Sequence, residues 1–260
     1  MIWKAKRNLL AAIGAVCVFG AVTAASAAVV ESFDYAEGSL NGLNGGTGWS
    51  GPWGNSAYTV TSPGLTYPGT SDAGNKVTSG SNSGTLFRGV SETFGTEGTS
   101  WYVSFIGQKL TVDDVSRFFG VALYNSGGEA VLIGQSSGSP NWGIAKGPTI
   151  SASTVSSQQE ALLVARIDSK PGNDDITLWV NPDLSQPEGA NLPSAALFGI
   201  LDVDVLTSIR MGGGGANTTQ VASVHEIDEV RIDSASPFVP EPASLALLGI
   251  GLPMIALRRR

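Results

Sequence analysis

Between residues 28 and 239 the apolar positions come in short runs set apart by glycine, asparagine, serine and proline, with almost nothing at the 3.6-residue period of a helix. The runs are rich in β-branched and aromatic residues. They predict strands at 101–110 (WYVSFIGQKL), 117–125 (RFFGVALYN), 129–135, 161–168 (ALLVARID), 175–180 (DITLWV), 205–211 and 221–233. Strands spaced in this way, with turn residues between them, predict an all-β sandwich or barrel. The 34 glycines allow many turns to take positive φ without strain. Gly127-Gly128, between Tyr124 and Val131, predicts a two-residue hairpin connection. Ser32-Phe33-Asp34-Tyr35 and Val230-Arg231-Ile232-Asp233 both alternate, which predicts that the first and last strands pair and bring the ends of the domain together.

The two ends of the chain break this pattern. Lys4, Lys6 and Arg7 precede an apolar stretch at 9–22 and the small-x-small triplet Ala25-Ser26-Ala27, the arrangement of a secretory signal peptide cut after Ala27 and handled by the secretion translocon. Cys17 follows Val16 where lipid attachment expects a small residue, and the apolar run continues past it, so it reads as part of that run. At the other end, residues 243–257 carry no charge and would span about 22 Å as a helix, against a bilayer core of about 30 Å. Pro253 weakens that helix, and Arg258, Arg259 and Arg260 would stay on the cytoplasmic side. Pro240-Glu241-Pro242 holds the chain extended where it would leave the membrane.

Val239-Pro240-Glu241-Pro242, the apolar run and the terminal arginines together resemble the PEP-CTERM sorting signal of exported bacterial proteins. The resemblance covers about the last 22 residues. It implies processing near Pro240-Glu241-Pro242 by a membrane-embedded exosortase, transient anchoring by the C-terminal helix, and delivery to the cell surface or its extracellular polymer. It implies an address and no activity.

With both ends removed, the charge changes meaning. The whole chain has 15 basic and 22 acidic residues; taking three basic residues from each end, and Glu241 with the tail, leaves 9 against 21 over about 212 residues. So acidic a domain is a poor partner for nucleic acid or an anionic membrane. It has no cysteine once residues 1–27 are gone, which excludes disulfides and thiol chemistry.

The stretches ALLVARIDSKPGNDDITLWVNP at 161–182, SIRMGGG at 208–214 and HEIDEVRID at 225–233 resemble the C-terminal half of laminin-G or concanavalin-A-like jelly rolls. The resemblance implies two facing antiparallel sheets in which 161–168 and 175–180 form a hairpin. The expected organisation is a signal peptide at 1–27, a two-sheet antiparallel jelly-roll sandwich at 28–236, and a sorting signal with a short transmembrane helix at 237–260. Residues 41–83 are polar and glycine-rich, with Trp49, Trp53, Tyr58 and Tyr67 set among them, and read as long loops laid over the sandwich and pinned by those rings.

Chemistry is sparse. His225 is the one histidine, and no G-x-S-x-G turn accompanies it, which argues against a Ser-His-Asp triad; it reads as a half-exposed strand residue. With one histidine and no mature cysteine, zinc lacks its usual ligands. In Glu226-Ile227-Asp228-Glu229 the carboxylates of 226 and 228 would share a strand face about 7 Å apart, a separation suited to glycoside hydrolysis. The motif resembles the Glu-x-Asp-x-Glu strand of jelly-roll laminarin- and lichenin-cleaving glycosidases, but Val230 or Arg231 stands where the last glutamate belongs. That departure leaves a solvated strand of alternating charge as the plainer reading, and no catalytic residue is assigned. Asn173, Asp174 and Asp175 form an acidic hairpin tip whose hard oxygens suit a calcium ion; no other cofactor is expected. Trp49, Trp53, Tyr58 and Trp142 lie in glycine-flanked contexts where exposed rings could stack on sugars, whereas Trp101 and Trp179 read as core. The expected function is that of an exported, noncatalytic surface or matrix protein associated with extracellular polysaccharide, adhesive or structural. The alternatives are a carbohydrate-binding module and a divergent glycoside hydrolase or lyase.

Overall fold

The alternation resolves into fifteen strands and one short helix among the residues that the computed structural model describes, namely 28–54, 58–70, 74–79, 85–111, 117–195, 197–214 and 224–239. Ala25 and Ala27, the motif Pro240-Glu241-Pro242, the apolar run after it, and Arg258, Arg259 and Arg260 lie outside the described residues. In chain order the elements are β1 (Val29–Glu31), β2 (Gly38–Ser39), β3 (Tyr58–Thr61), β4 (Lys76–Ser79), β5 (Thr85–Gly89), β6 (Ser100–Lys109), β7 (Phe118–Asn125) and β8 (Gly128–Gln135). They continue as β9 (Asn141–Lys146), β10 (Thr149–Ser156), β11 (Ala161–Asp168), β12 (Asp174–Val180), α1 (Glu188–Ala195), β13 (Leu197–Leu201), β14 (Ser208–Gly214) and β15 (His225–Asp233).

Sheet I runs β13-β12-β11-β6-β15-β4-β3-β2, and sheet II runs β10-β9-β8-β7-β14-β5. Strand β15 is paired along one side by β6; its other side is shared by β4 opposite Glu226 and Ile227 and by β1 opposite Val230 to Ile232. Between those two partners the register shifts, and Glu229 takes φ 50°, a bulge that lets one strand serve two neighbours. All these pairings are antiparallel, so the chain is an antiparallel two-sheet β-sandwich.

The main core lies between the sheets. Trp101, Val103 and Phe105 of β6 and Leu163, Ala165 and Ile167 of β11 meet Phe119, Val121 and Leu123 of β7 and Val131 and Ile133 of β8. Sheet I is apolar on its other face as well. Tyr102, Ile106, Leu162, Val164 and Trp179 form a second cluster there, covered by Leu65 and Phe238 with Tyr67 and Leu184 alongside. The continuous apolar run of β11 therefore has a cause: both of its faces are buried. In sheet II, Gly212, Gly120, Gly134 and Gly143 stand in one row across four strands. Gly120 and Gly134 take φ 149° and 152°, and a Cβ at either would come within 2.2 Å or 2.1 Å of a carbonyl oxygen on the neighbouring strand. Only glycine fits those two positions.

Several expectations change against this frame. The first and last strands do pair, but through Val29–Glu31, with Val29 opposite Ile232; the chain leaves the sheet at Phe33, whose φ is 51°. The β7–β8 turn joins Asn125 to Gly128, one residue earlier than expected. Residues 41–83 are not loops throughout, because they supply β3 and β4 to sheet I and Trp53, Tyr58, Val60 and Val77 to the core. Strand β14 begins at Ser208, and Val205 before it is exposed. Strands β9 and β10 and helix α1 were not anticipated; α1 is docked by Glu188, which takes Arg166 Nη1 at 2.8 Å and the Tyr102 hydroxyl at 2.8 Å.

Candidate functional site

Trp49 and Trp53 serve a buried ion pair rather than an open surface. Glu31 enters the interior from β1 and Arg88 from β5, and Arg88 Nη1 meets Glu31 Oε2 with both side chains 1% exposed. Trp53 Nε1 and the Tyr35 hydroxyl donate to the same oxygen at 3.0 and 2.8 Å. The remaining guanidinium donors reach Gly51 O, Asn44 Oδ1 and Gly45 O at 2.8 to 3.0 Å. The Arg88 guanidinium also lies 4.8 Å from the Trp49 ring and 4.9 Å from the Trp53 ring. Trp53 and Tyr58 are each 1% exposed and Trp142, in β9, is 0% exposed, so in this fold they present no ring to a sugar; of the four rings singled out in the sequence, only Trp49 is half-buried. Gly46 and Gly48 beside Trp49, and Gly143 beside Trp142, mark close packing of backbone, which in the sequence looks the same as exposure.

His225 is also buried, correcting the half-exposed reading. Its imidazole sits between the Tyr58 hydroxyl and Ser79 Oγ, the latter at 3.1 Å, and its ring centre is 4.3 Å from that of Phe119. Burial pushes the Tyr58 hydroxyl far above its ordinary value. These contacts tie β3, β4, β7 and β15 together and lie out of reach of a substrate.

Glu226 and Asp228 do point to one face of β15, but that face is covered. Glu226 takes Lys76 Nζ at 3.0 Å and Thr78 Oγ1 at 3.3 Å. Asp228 accepts the backbone N–H of Leu65 on one oxygen and of Glu229 on the other, each at 2.8 Å. Burial raises the Asp228 carboxyl to about 7, against the pull of those two amides. The hairpin tip behaves similarly: Asp174 accepts Lys170 N and Val203 N at 2.9 Å each, Asp175 pairs with Lys170, and Asn173 is exposed. Among the described residues no group of three or more His, Cys, Asp or Glu side chains gathers as a cation site.

The open feature of sheet I is a cavity of about 310 Å³ on its outer face. Its floor is Ser104 of β6 with Leu162 and Val164 of β11, and one rim is Glu229, Arg231 and Asp233, set by the bulge of β15. Thr70, Leu184 and the segment Ala235–Pro237 complete the lining. Arg231 Nη2 holds Asp233 Oδ2 at 2.7 Å with the arginine side chain half exposed, while Asp233 Oδ1 accepts Ala235 N at 2.9 Å. The cavity thus offers an apolar floor and a rim of hydroxyl, carboxylate and guanidinium groups, a combination that suits a small polyhydroxylated ligand with one apolar face. Of its residues only Glu229 lay in a motif singled out in the sequence as a candidate site, because the lining comes from six separated stretches that strand register and loop packing bring together.

Together, strand order and cavity define an antiparallel β-sandwich with a small mixed-polarity pocket on one outer face. No family model and no curated protein matches the chain. Solved structures similar to it include the cellulose-induced protein Cip1, at 16% identity over 74% of this chain and 94% of that one with a TM-score of 0.45. Another is lectin II from Ulex europaeus, at 12% identity over 79% and 97% with a TM-score of 0.42. A third is the alginate lyase AlgAT5 from Polysaccharide Lyase family 7, at 8% identity over 62% and 79% with a TM-score of 0.41.

Proposed function

We propose that this chain is an exported, noncatalytic jelly-roll protein of the cell surface or extracellular matrix, and that it holds a sugar unit of an extracellular polysaccharide in the pocket on sheet I. The pocket carries this reading. The half-buried Leu184 and Pro237 give the apolar face of a pyranose a surface to lie on, above the buried Leu162 and Val164, and Ser104, Thr70, Glu229 and Arg231 give its hydroxyls partners. The volume, about 310 Å³, suits one ring better than a long chain segment. A noncatalytic role is supported by the engagement of Glu226, Asp228 and Asp233 in ion pairs and backbone hydrogen bonds. Export is supported by the two chain ends, with the secretion translocon and an exosortase as the processing partners.

A glycan array probed with the purified protein at millimolar sugar tests the pocket. Retention of one glycan class, without release of reducing sugar, is the expected result; no retained glycan would overturn the binding role. Mass spectrometry of the protein recovered from its host tests the address: a chain beginning near residue 28 and ending near Pro240 is expected, and intact ends in a cytosolic fraction refute export.

A further inference from the structure

One wall of the pocket differs in kind from the rest. Ala235, Ser236 and Pro237 belong to the segment that follows the last strand. Within 234–239, Ser234, Ala235, Ser236 and Val239 are exposed and Pro237 is half-buried, while Phe238 is 4% exposed. The Phe238 ring meets Trp179 edge-on at 5.1 Å, in the cluster that includes Leu162, Ile106 and Leu65. Two hydrogen bonds of the segment are local, Ala235 N to Asp233 Oδ1 at 2.9 Å and Phe238 N to Ser236 Oγ at 3.3 Å. Val239 N to Leu184 O at 3.3 Å reaches across, and the Ser236 side chain bonds the Tyr102 hydroxyl. Among the described residues Trp179 Nε1 is buried without a hydrogen-bond partner, so the indole meets Phe238 by apolar contact. Such contact is non-directional, and a segment with one buried side chain is drawn from the least stable part of a fold.

We propose that residues 234–239 are a detachable strap, latched by Phe238 on Trp179, whose release opens the pocket and frees the chain leading to Pro240-Glu241-Pro242 while both sheets stay folded. Its effect on ligand access rests on the sugar-pocket reading; the strap itself rests on its contacts. When docked, the strap supplies one side of the pocket. It also holds Val239 against Leu184, so the chain before Pro240 is tied to the sandwich, and a protease needs extended chain drawn away from the fold on both sides of the bond it cuts. Release of the strap is then a required step before processing near Pro240, and the same step removes a wall from the pocket.

The test is limited proteolysis of the full chain with subtilisin across a urea series below the global transition, with cuts in 234–239 followed by mass spectrometry. Local release exposes little surface, so the wild-type rate should barely change with urea. Phe238→Ala should raise that rate roughly tenfold or more, with cuts elsewhere unchanged. Phe238→Leu, which keeps an apolar group in the slot, should fall between and serves if the alanine variant does not fold. A wild-type rate that climbs with urea as steeply as global unfolding overturns the strap, as does a rate insensitive to both substitutions. No glycan enters the measurement, so a blank glycan array would leave its outcome standing.

Discussion

Glu31 and Arg88 meet between the two sheets with both side chains 1% exposed, and the indoles of Trp49 and Trp53 stack on the guanidinium. Truncating one partner of a buried pair leaves the other charge unpaired, which costs about 3–5 kcal/mol. Arg88→Met is expected to lose stability in that range by urea denaturation, and Glu31→Gln a comparable amount. The double variant should lose less than the sum, since neither charge is then stranded. A loss below about 1 kcal/mol for Arg88→Met would show that the pair does not hold the 41–54 segment.

That pair also shows what the sequence concealed. β11 was legible to the residue because eight consecutive positions are dominated by large apolar side chains, and its hairpin with β12 followed from the turn residues between them. Trp53 and Tyr58 were misplaced because their glycine- and serine-rich neighbours look like an open loop, while the partner that draws the tryptophan inward, Arg88, lies 35 residues further along. His225 and Asp228 were misread for a related reason: a polar residue in a strand reads as solvated unless its cover is known. Their covers come from 58–79, a stretch whose weak alternation hid β3 and β4. The pocket was out of reach altogether, since it depends on a bulge at Glu229 and on where the segment after β15 lies.

Asp228 should make stability fall with pH. Its carboxyl is raised by burial from 3.8 to about 7, with Glu229 adding to the shift and Lys76 and the two amides opposing it. Below pH 4 both folded and unfolded states hold the proton, and the preference of the folded state is fully present. As pH rises through 7 a buried carboxyl must ionise, and that contribution is lost. An asparagine at this position would not titrate, so Asp228→Asn removes this slope while losing one amide contact at every pH. Measured from pH 4 to 8, the stability of wild type relative to Asp228→Asn is expected to decline by on the order of 2 kcal/mol. A flat difference rules the buried, proton-holding carboxyl out.

The glycine row of sheet II makes a sharper prediction. An alanine Cβ at Gly134 would sit 2.1 Å from Phe119 O, and at Gly120 2.2 Å from Ile133 O, with positive φ at both. Gly134→Ala is therefore expected to cost more than about 3 kcal/mol or to prevent folding. Gly51 has open space around its Cβ direction, and Gly51→Ala should be neutral or stabilise by up to about 1 kcal/mol. Thermal denaturation of the two variants side by side separates a backbone requirement from general glycine abundance. Similar melting temperatures would mean that the sheet relaxes around the added methyl.

Filling the pocket should abolish binding without disturbing the fold. Ser104 lies on the outer face of β6, opposite Val164 on one side and Arg231 on the other, so a larger side chain there grows into the cavity and not into the core between the sheets. Ser104→Leu replaces a half-buried hydroxyl with an apolar group over Leu162 and Val164, and its effect on stability is expected to stay within about 0.5 kcal/mol. Retention of whichever glycan the wild-type protein holds should drop at least roughly tenfold, because the ring would lose both its space and a hydroxyl partner. Trp49→Ala provides the contrast: its half-buried indole stacks on Arg88 and is not itself in the pocket lining, which it touches only through Nε1 donating to Val30 O at 3.0 Å, so the change should lower the melting temperature and reduce retention far less than Ser104→Leu does. The opposite pattern, with binding lost in Trp49→Ala and kept in Ser104→Leu, would move the sugar site to the aromatic segment that the sequence first suggested.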